Sequence, residues 1–348
     1  MMKKRRRFWR IRAVLVGLGF GLLAFGAGTA SAQVASPLQS GHYAPGVMNI
    51  RDYAAPPPGL FVIWYNWAMS SDTYVDRNGN ELNSLNLSQI DPTLPDVDID
   101  LDLKGFATVP ALFWGSTFEI LGGARYMVGL APNWATADYT VVAEPGGPGY
   151  EPSDREVLEG SVSGLSDLFV APVGLSWALG HFDATFFYGF TAPTGRYETG
   201  ADDNMGLGFW THQFQGFGYF YPSESQATAL MLGLTYELNT EIKDVEVKPG
   251  NRLSLEYGIS QYFTDWLELG VQGAHNWQIT DDSGSDVFWD PSYHDQKSAL
   301  LFSAGFWPWA GRLYVAAKYG FDYGVRQRFK TNNLMLNFIW LTNALDGM

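Results

Sequence analysis

Five histidines hold most of the general-base chemistry this chain could perform: His42, His181, His212, His275 and His294. No two of them stand two apart on a strand or four apart on a helix, the spacings that bring imidazoles to one metal ion. The chain has no cysteine, which excludes disulfides and thiolate metal sites. A serine hydrolase would need one histidine bonded to a hydroxyl and oriented by a third group. His275 is the candidate that draws notice, because it falls on the apolar face of its segment. An amphipathic side chain near a rim explains that position equally well. Asp76, Asn78 and Asn80 begin like a calcium loop. The glycine comes at Gly79 rather than at the sixth position, and no glutamate closes the twelfth, so a turn is the plainer reading.

Two further sets matter more. Asp96, Asp98, Asp100 and Asp102 alternate along one segment. They would share one strand face and repel unless solvated or counter-charged. They could gather cations at an acidic pore mouth, or form a solvated edge. The second set is Glu237, Arg252, Glu256, Glu268, Gln272, Arg312, Lys318, Asp322 and Arg326, all on the polar parity of their segments. Such groups can line a lumen and set its selectivity, or pair across strands and stiffen the wall.

What must position them is a run of about twelve alternating segments from Gly59 to Thr342. Leu253, Leu255, Tyr257 and Ile259 oppose Arg252, Ser254, Glu256 and Ser260. Leu267, Leu269, Val271, Trp277 and Ile279 oppose Glu268, Gln272, Asn276 and Gln278. The stretches around Leu230–Leu238 and Leu313–Tyr323 repeat the pattern, and less regular segments lie near 59–70, 98–112, 118–142, 164–177, 182–194, 207–220, 297–307 and 332–342. Connections near 113–117, 178–181, 221–226, 262–265 and 307–311 are short. Those near 71–97, 143–163, 195–206, 240–250 and 281–296 are long and polar, and a short link at 328–331 breaks the rule. Short and long connections in turn describe an up-and-down antiparallel sheet with two unlike rims. A break near Pro132 in segment 118–142 would change the count, giving a range of 10–14 strands. A soluble sandwich also alternates, but apolar faces ending in Trp and Tyr opposite faces bearing Arg, Lys and Glu fit a transmembrane barrel.

The amino-terminal stretch has the layout of an export signal: seven basic residues between Lys3 and Arg12, an apolar run from Ala13 to Ala27, and small residues at Ala30-Ser31-Ala32. Cleavage there would remove all seven cations and move the formal charge from −14 to −21. So acidic a chain is a poor nucleic-acid binder. Beyond the leader no apolar run is long enough for a transmembrane helix. Aromatics at 16% and 39 glycines suit a membrane barrel with aromatic girdles. Residues 33–58, ending in Pro56-Pro57-Pro58-Gly59, supply too few ladder donors for a central strand and read as a periplasmic lead-in or partial plug.

Several pieces, in order, resemble one family. They are Pro56-Pro57-Pro58-Gly59-Leu60-Phe61; Gly164-Leu165-Ser166-Asp167 with Pro172 and Trp177; Ala192-Pro193-Thr194-Gly195-Arg196-Tyr197; Asn204-Met205-Gly206-Leu207-Gly208 with Trp210; Tyr236-Glu237-Leu238-Asn239; and Gln278-Ile279-Thr280-Asp281-Asp282-Ser283-Gly284. Together they are similar to the family named for the MetA pathway of phenol degradation, which includes the sphingosine-induced outer-membrane proteins. The resemblance implies an outer-membrane barrel associated with hydrophobic or aromatic compounds. One departure is that Leu341 to Met348 follow Trp340, where such barrels usually finish on an aromatic residue.

The expectation is therefore an all-β, antiparallel, up-and-down outer-membrane barrel. Residues 1–32 are a cleaved signal, 33–58 the lead-in or plug, 59–342 the barrel and 343–348 a tail. Both barrel termini face the periplasm. Its partners would be outer-membrane lipid and lipopolysaccharide, the outer-membrane assembly machinery and a small hydrophobic solute, with no nucleic acid, no cofactor, no metal and no enzymatic step. The expected function is a channel for passive uptake of small hydrophobic or aromatic compounds through a narrow lumen; a lipid-acting hydrolase and a structural or adhesive barrel with partner-binding loops are the alternatives.

Overall fold

The computed structural model describes residues 41–85, 96–146, 155–199, 201 and 203–343. The leader, residues 33–40 and the tail beyond Asn343 lie outside them. The strands are β1 (Gly59–Val75), β2 (Ser84–Leu85), β3 (Val97–Ile120), β4 (Ala124–Ala131), β5 (Trp134–Pro145), β6 (Glu156–Leu165), β7 (Leu168–Ala178), β8 (Phe182–Ala192), β9 (Thr211–Phe220), β10 (Thr228–Asn239), β11 (Arg252–Thr264), β12 (Leu267–Gln278), β13 (Gln296–Trp309), β14 (Leu313–Arg326) and β15 (Arg328–Leu341).

β1 pairs with β15 on one side and with β3 on the other, both antiparallel, so the sheet closes on itself. The wall runs β1-β15-β14-β13-β12-β11-β10-β9-β8-β7-β4-β3, twelve strands. The alternation implied this closed all-β barrel, and an even strand number brings its first and last strands to the short-turn end.

Closure removes every edge that the wall would otherwise expose to lipid. Leu230, Leu232 and Leu234 face outward on β10, while Thr235 and Glu237 are buried within. Phe263, Trp266, Trp309 and Trp340 ring the short-turn end, and Tyr257 and Tyr323 lie higher on the outer face. The climb along β12 from Leu267 to Trp277, at ~3.3 Å per residue and a tilt of ~40°, rises about 25 Å. That is the height of an outer-membrane apolar band.

Two local features depart from the simple rhythm. The turn expected near 113–117 lies at Leu121–Gly123, where φ values of 44°, 77° and 96° make a left-handed reversal. The earlier irregularity is a bulge between Gly115 and Glu119. Buried Ser116 mends it, its Oγ donating to Phe118 O at 2.6 Å and accepting Tyr126 N at 3.0 Å. Segment 118–142 does contain a break, at Pro132-Asn133, but it leaves the count unchanged because β4 and β5 both pair with β3. β6 pairs with β5 and runs into β7 across Ser166-Asp167. With β2 these strands form a flap rising from the wall at the long-loop end.

The two halves of the barrel have different interiors. Along β10–β15 the buried inward residues include Glu237, Arg252, Glu256, Glu268, Gln272, Lys318, Asp322 and Asn337, with Ala274, Leu301 and Met335 among them. Along β1, β3, β4 and β8 they are mainly apolar, Phe61, Ile63, Tyr65, Ala111, Met127, Ala131 and Phe187, although β8 also buries Asp183, Thr185 and Thr191. The first-half strands are thus apolar on both faces, which is why their alternation is weak.

Candidate functional site

Residues 41–58 run down the barrel interior from the long-loop end to the short-turn end, fastened to the polar half of the wall. At the top, the His42 and Tyr43 backbone N–H groups both donate to Glu237 Oε1 at 2.8 Å. Tyr43 OH donates to Glu256, and Gly46 N donates to Glu256 Oε2 at 2.8 Å. Lys318 Nζ donates to Gly46 O at 2.6 Å, Met48 O at 2.5 Å and Gln272 Oε1 at 2.9 Å. Gly46 has φ +87°, and a Cβ there would stand 2.9 Å from Leu301, so both conformation and room require glycine. Asn337 Nδ2 reaches Val47 O and Asn49 Oδ1. Lower down, Arg51 Nε donates to Glu268 Oε1 at 2.7 Å and Ser260 Oγ at 2.9 Å, while its Nη groups take the carbonyls of Gln226 and Ala227 in the short β9–β10 turn. Buried charges persist when paired and hydrogen-bonded, and here the pairing groups come from residues 41–58.

The other half of the wall touches this segment at Asp52, Tyr53 and Ala55, through Tyr65, Thr185 and Asp183, and over much of the rest faces it across a gap. Between them lies a cavity of about 220 Å³, lined by Val47, Met48 and Tyr53 on one side and by Phe61, Ile63, Val109, Phe113, Phe169 and Phe187 on the other. Most of its polar lining groups are bonded within the protein, Asn133 Oδ1 excepted. Tyr53 OH donates to Gln215 Oε1 at 2.6 Å, Gln215 Nε2 to Gln213 Oε1 at 2.8 Å and Gln213 Nε2 to Thr191 Oγ1 at 3.3 Å. Tyr65 OH donates to Asp52 at 2.8 Å, Thr185 Oγ1 to Tyr53 O at 2.7 Å and Ser166 Oγ to Met205 O at 2.7 Å. Neither lysine nor arginine is among the described residues that line it.

The model of the family described as "Putative MetA-pathway of phenol degradation" matches residues 71–338. This chain belongs to that family. Curated proteins give no sequence match. Among solved structures, the COG4313 outer membrane channel from Pseudomonas putida F1 is similar with a TM-score of 0.62 at 17% identity, over 84% of this chain and 99% of that one. The TodX deltaS2S3 mutant monoaromatic hydrocarbon channel matches at TM-score 0.41 and 10% identity, over 90% and 97% of the two chains. A Pseudomonas aeruginosa FadL homologue matches at 0.40 and 10%, over 81% and 90%. The first shares the fold, and the other two are too distant to argue from. In this member of the phenol-degradation family three of the sequence pieces that carry the resemblance meet at one knot above the cavity. Asp167 accepts Gly195 N at 2.9 Å and Leu207 N at 2.8 Å, and its Oδ2 lies 2.9 Å from His42 Nε2.

The residues singled out in the sequence fall into distinct places in this family member. Glu237, Glu256, Glu268 and Lys318 are inside the barrel and bonded to residues 41–58, and Gln272 is inside and bridges Glu256 to Lys318. Arg252 and Asp322 are inside but engaged with the wall and loops. Arg252 Nη2 lies 2.5 Å from Asp295, and Asp322 accepts Thr331 N at 2.9 Å with Lys297 Nζ at 3.3 Å. Arg312 and Arg326 are not lumen residues. Arg312 sits in the β13–β14 turn, donating to Thr342 O at 2.7 Å with its guanidinium over Trp309. Arg326 is exposed because left-handed Gly324, φ 58°, shifts the register and reverses the parity of the residues after it.

Asp96, Asp98, Asp100 and Asp102 are exposed, while Val97, Ile99 and Leu101 between them pack on Val141 and Ala143. The acidic parity continues into outward-facing Leu112 and Trp114, so the stripe stands outside the wall rather than around a pore mouth. Replacing Asp98, Asp100 and Asp102 together by Asn should leave ion current and solute uptake unchanged. A changed cation preference in bilayer recordings would return the stripe to the pore.

His275 Nδ1 lies 2.7 Å from Ser298 Oγ and Nε2 lies 3.2 Å from Tyr257 OH, with the ring stacked on Trp277 at 5.3 Å. It belongs to the outer aromatic band. Asp76 caps its own turn, accepting Asn78 N and Asn80 N at 2.8 Å each. Burial raises its carboxyl, but the backbone and side-chain hydrogen bonds from Asn80 and Asn78 together outweigh that and hold it below the usual range. Sequence reasoning missed His42, Gly46, Arg51 and the aromatic lumen wall. The signal for the wall was available as the loss of alternation in the first strands.

Proposed function

We propose that this chain is an outer-membrane channel through which small hydrophobic, mainly aromatic, compounds diffuse down their gradient. The observation that carries the reading is a largely apolar cavity most of whose polar lining groups are already hydrogen-bonded within the protein. A sugar, amino acid or carboxylate entering it would leave its own polar groups unsatisfied, at ~1–3 kcal/mol for each neutral group and more for a charge. An apolar solute loses nothing there and gains ~25 cal/mol per Å² of area removed from water. In this reading residues 41–58 are a seated partial plug that narrows a barrel of intermediate width to the width of a solute. Diffusion of this kind needs no cofactor and no catalytic group. The name of the Pseudomonas putida relative, an outer membrane channel, supports it.

The short-turn end faces the periplasm in this reading, the aromatic girdles sit at the two surfaces of a lipopolysaccharide-containing bilayer, and the last strand is what the assembly machinery reads. In a planar bilayer the protein should pass little ionic current. Cells with an intact lipopolysaccharide leaflet should take up a radiolabelled aromatic hydrocarbon faster when they carry it. Equal initial uptake with and without the barrel in the membrane would refute the reading.

A further inference from the structure

Beneath the cavity's aromatic lining lies a set of glycines on neighbouring strands. Phe113 on β3 lies over Gly129 on β4, Phe187 on β8 over Gly174 on β7, and Phe169 on β7 over Gly189 on β8. A Cβ placed on these glycines would stand 2.2 Å, 2.3 Å and 2.5 Å from the respective ring. Gly129 and Gly174 are the direct ladder partners of their phenylalanines. None of the three has a left-handed backbone, so conformation does not call for glycine there. Space does: each ring occupies the position in which a side chain would begin. All three rings face the cavity, and none of the three glycines reaches it.

We propose that Gly129, Gly174 and Gly189 are ring seats that set the bore of the cavity, and that this bore selects planar single-ring molecules over saturated rings of the same carbon count. The proposal rests on the reading of the cavity as the solute path and deepens it. Carbon atoms in contact need ~3.5–4.0 Å. Restoring a Cβ at 2.2–2.5 Å therefore drives the ring more than an ångström into the cavity. The opposite side cannot yield easily, because Tyr53 is stacked on Phe217 at 4.0 Å between centroids and its hydroxyl is tied to Gln215. A saturated ring is thicker than a planar one. It also forgoes the offset and edge-to-face contacts that the phenylalanine rings lining the cavity can offer an aromatic solute.

The test measures initial uptake of radiolabelled toluene and methylcyclohexane by cells with an intact lipopolysaccharide leaflet. Folded barrel is quantified from heat-modifiable gel mobility. Wild-type protein should favour toluene severalfold. Gly174→Ala should lower toluene uptake per folded barrel about tenfold, the effect of forcing one methyl into a packed site. The double variant Gly174→Ala with Phe187→Leu should recover it. Phe187→Leu alone should admit methylcyclohexane nearly as well as toluene. If Gly174→Ala does not reach the membrane, Gly189→Ala under Phe169 replaces it, with Phe169→Leu as the rescue. Unchanged toluene uptake in a folded glycine variant, or a double variant that stays slow, overturns the seats and leaves the channel intact. Failure of the wild type to speed uptake of either solute overturns the channel reading itself.

Discussion

Deleting residues 41–54 should turn a barrel that passes little current into one with stepwise, porin-like conductance, and the barrel should survive the deletion. The wall does not depend on the segment for closure, since β1 pairs with β15 and β3 from Gly59 onward. What the segment supplies is the hydrogen bonds of Glu237, Glu256, Glu268 and Lys318. Removing one partner of a buried charge while keeping the site dry costs ~3–5 kcal/mol. Removing the whole segment instead admits water, which solvates all four groups together and cancels most of that cost. The emptied lumen is wide enough, because a barrel of eight strands is filled by side chains and one of 16–18 holds an open channel, with twelve between. Its freed groups are three carboxylates against one ammonium, so the current should favour cations. Planar-bilayer recording beside circular dichroism checks this. A deletion protein with full β-sheet content and no added current would mean that something other than this segment closes the lumen.

The legibility of this chain follows its chemistry. β10 to β14 can be read almost to the residue, because each carries an apolar face for lipid and a charged face that the inserted segment requires. Leu230, Leu232 and Leu234 against Thr235 and Glu237 is that pattern. β1 can be read as a strand but not assigned an inner face, since Phe61, Ile63 and Tyr65 inside are as apolar as Leu60 and Trp64 outside. An interior that accepts hydrophobic solutes erases the alternation that reveals an interior. The partners of residues 41–58 are illegible for another reason. Asn337 meets Val47 across 290 positions, and no local pattern encodes so distant a contact. Arg326 falls on the wrong face when parity is carried through Gly324, where a left-handed residue resets it. The turn at Leu121–Gly123 is displaced in the pattern because the bulge at Ser116 interrupts alternation as a turn does.

Lys318→Met should destabilise the folded protein by about 3–5 kcal/mol, the cost of leaving a buried charge without its partner. Methionine keeps the unbranched shape and much of the volume, so packing alone predicts a small effect. The loss falls on three acceptors at once: Gly46 O, Met48 O and Gln272 Oε1. Gln272 bridges to Glu256, its Nε2 donating at 2.9 Å, so Glu256 also loses the cation that Gln272 links it to. Because Glu256 in turn holds Gly46 N and Tyr43 OH, the segment should loosen at its middle rather than at its ends. The variant should therefore show flickering current as well as a lower urea midpoint. Adding Glu256→Gln should recover part of the loss, since a neutral pair in the same place removes the unpaired charge. Tryptophan emission in urea measures the stability of the single and double variants, and bilayer recording measures the flicker. A Lys318→Met protein with unchanged midpoint and quiet baseline would show that the ammonium contributes nothing to seating the segment, and that the fastening rests on Glu237, Glu256, Asn337 and Arg51.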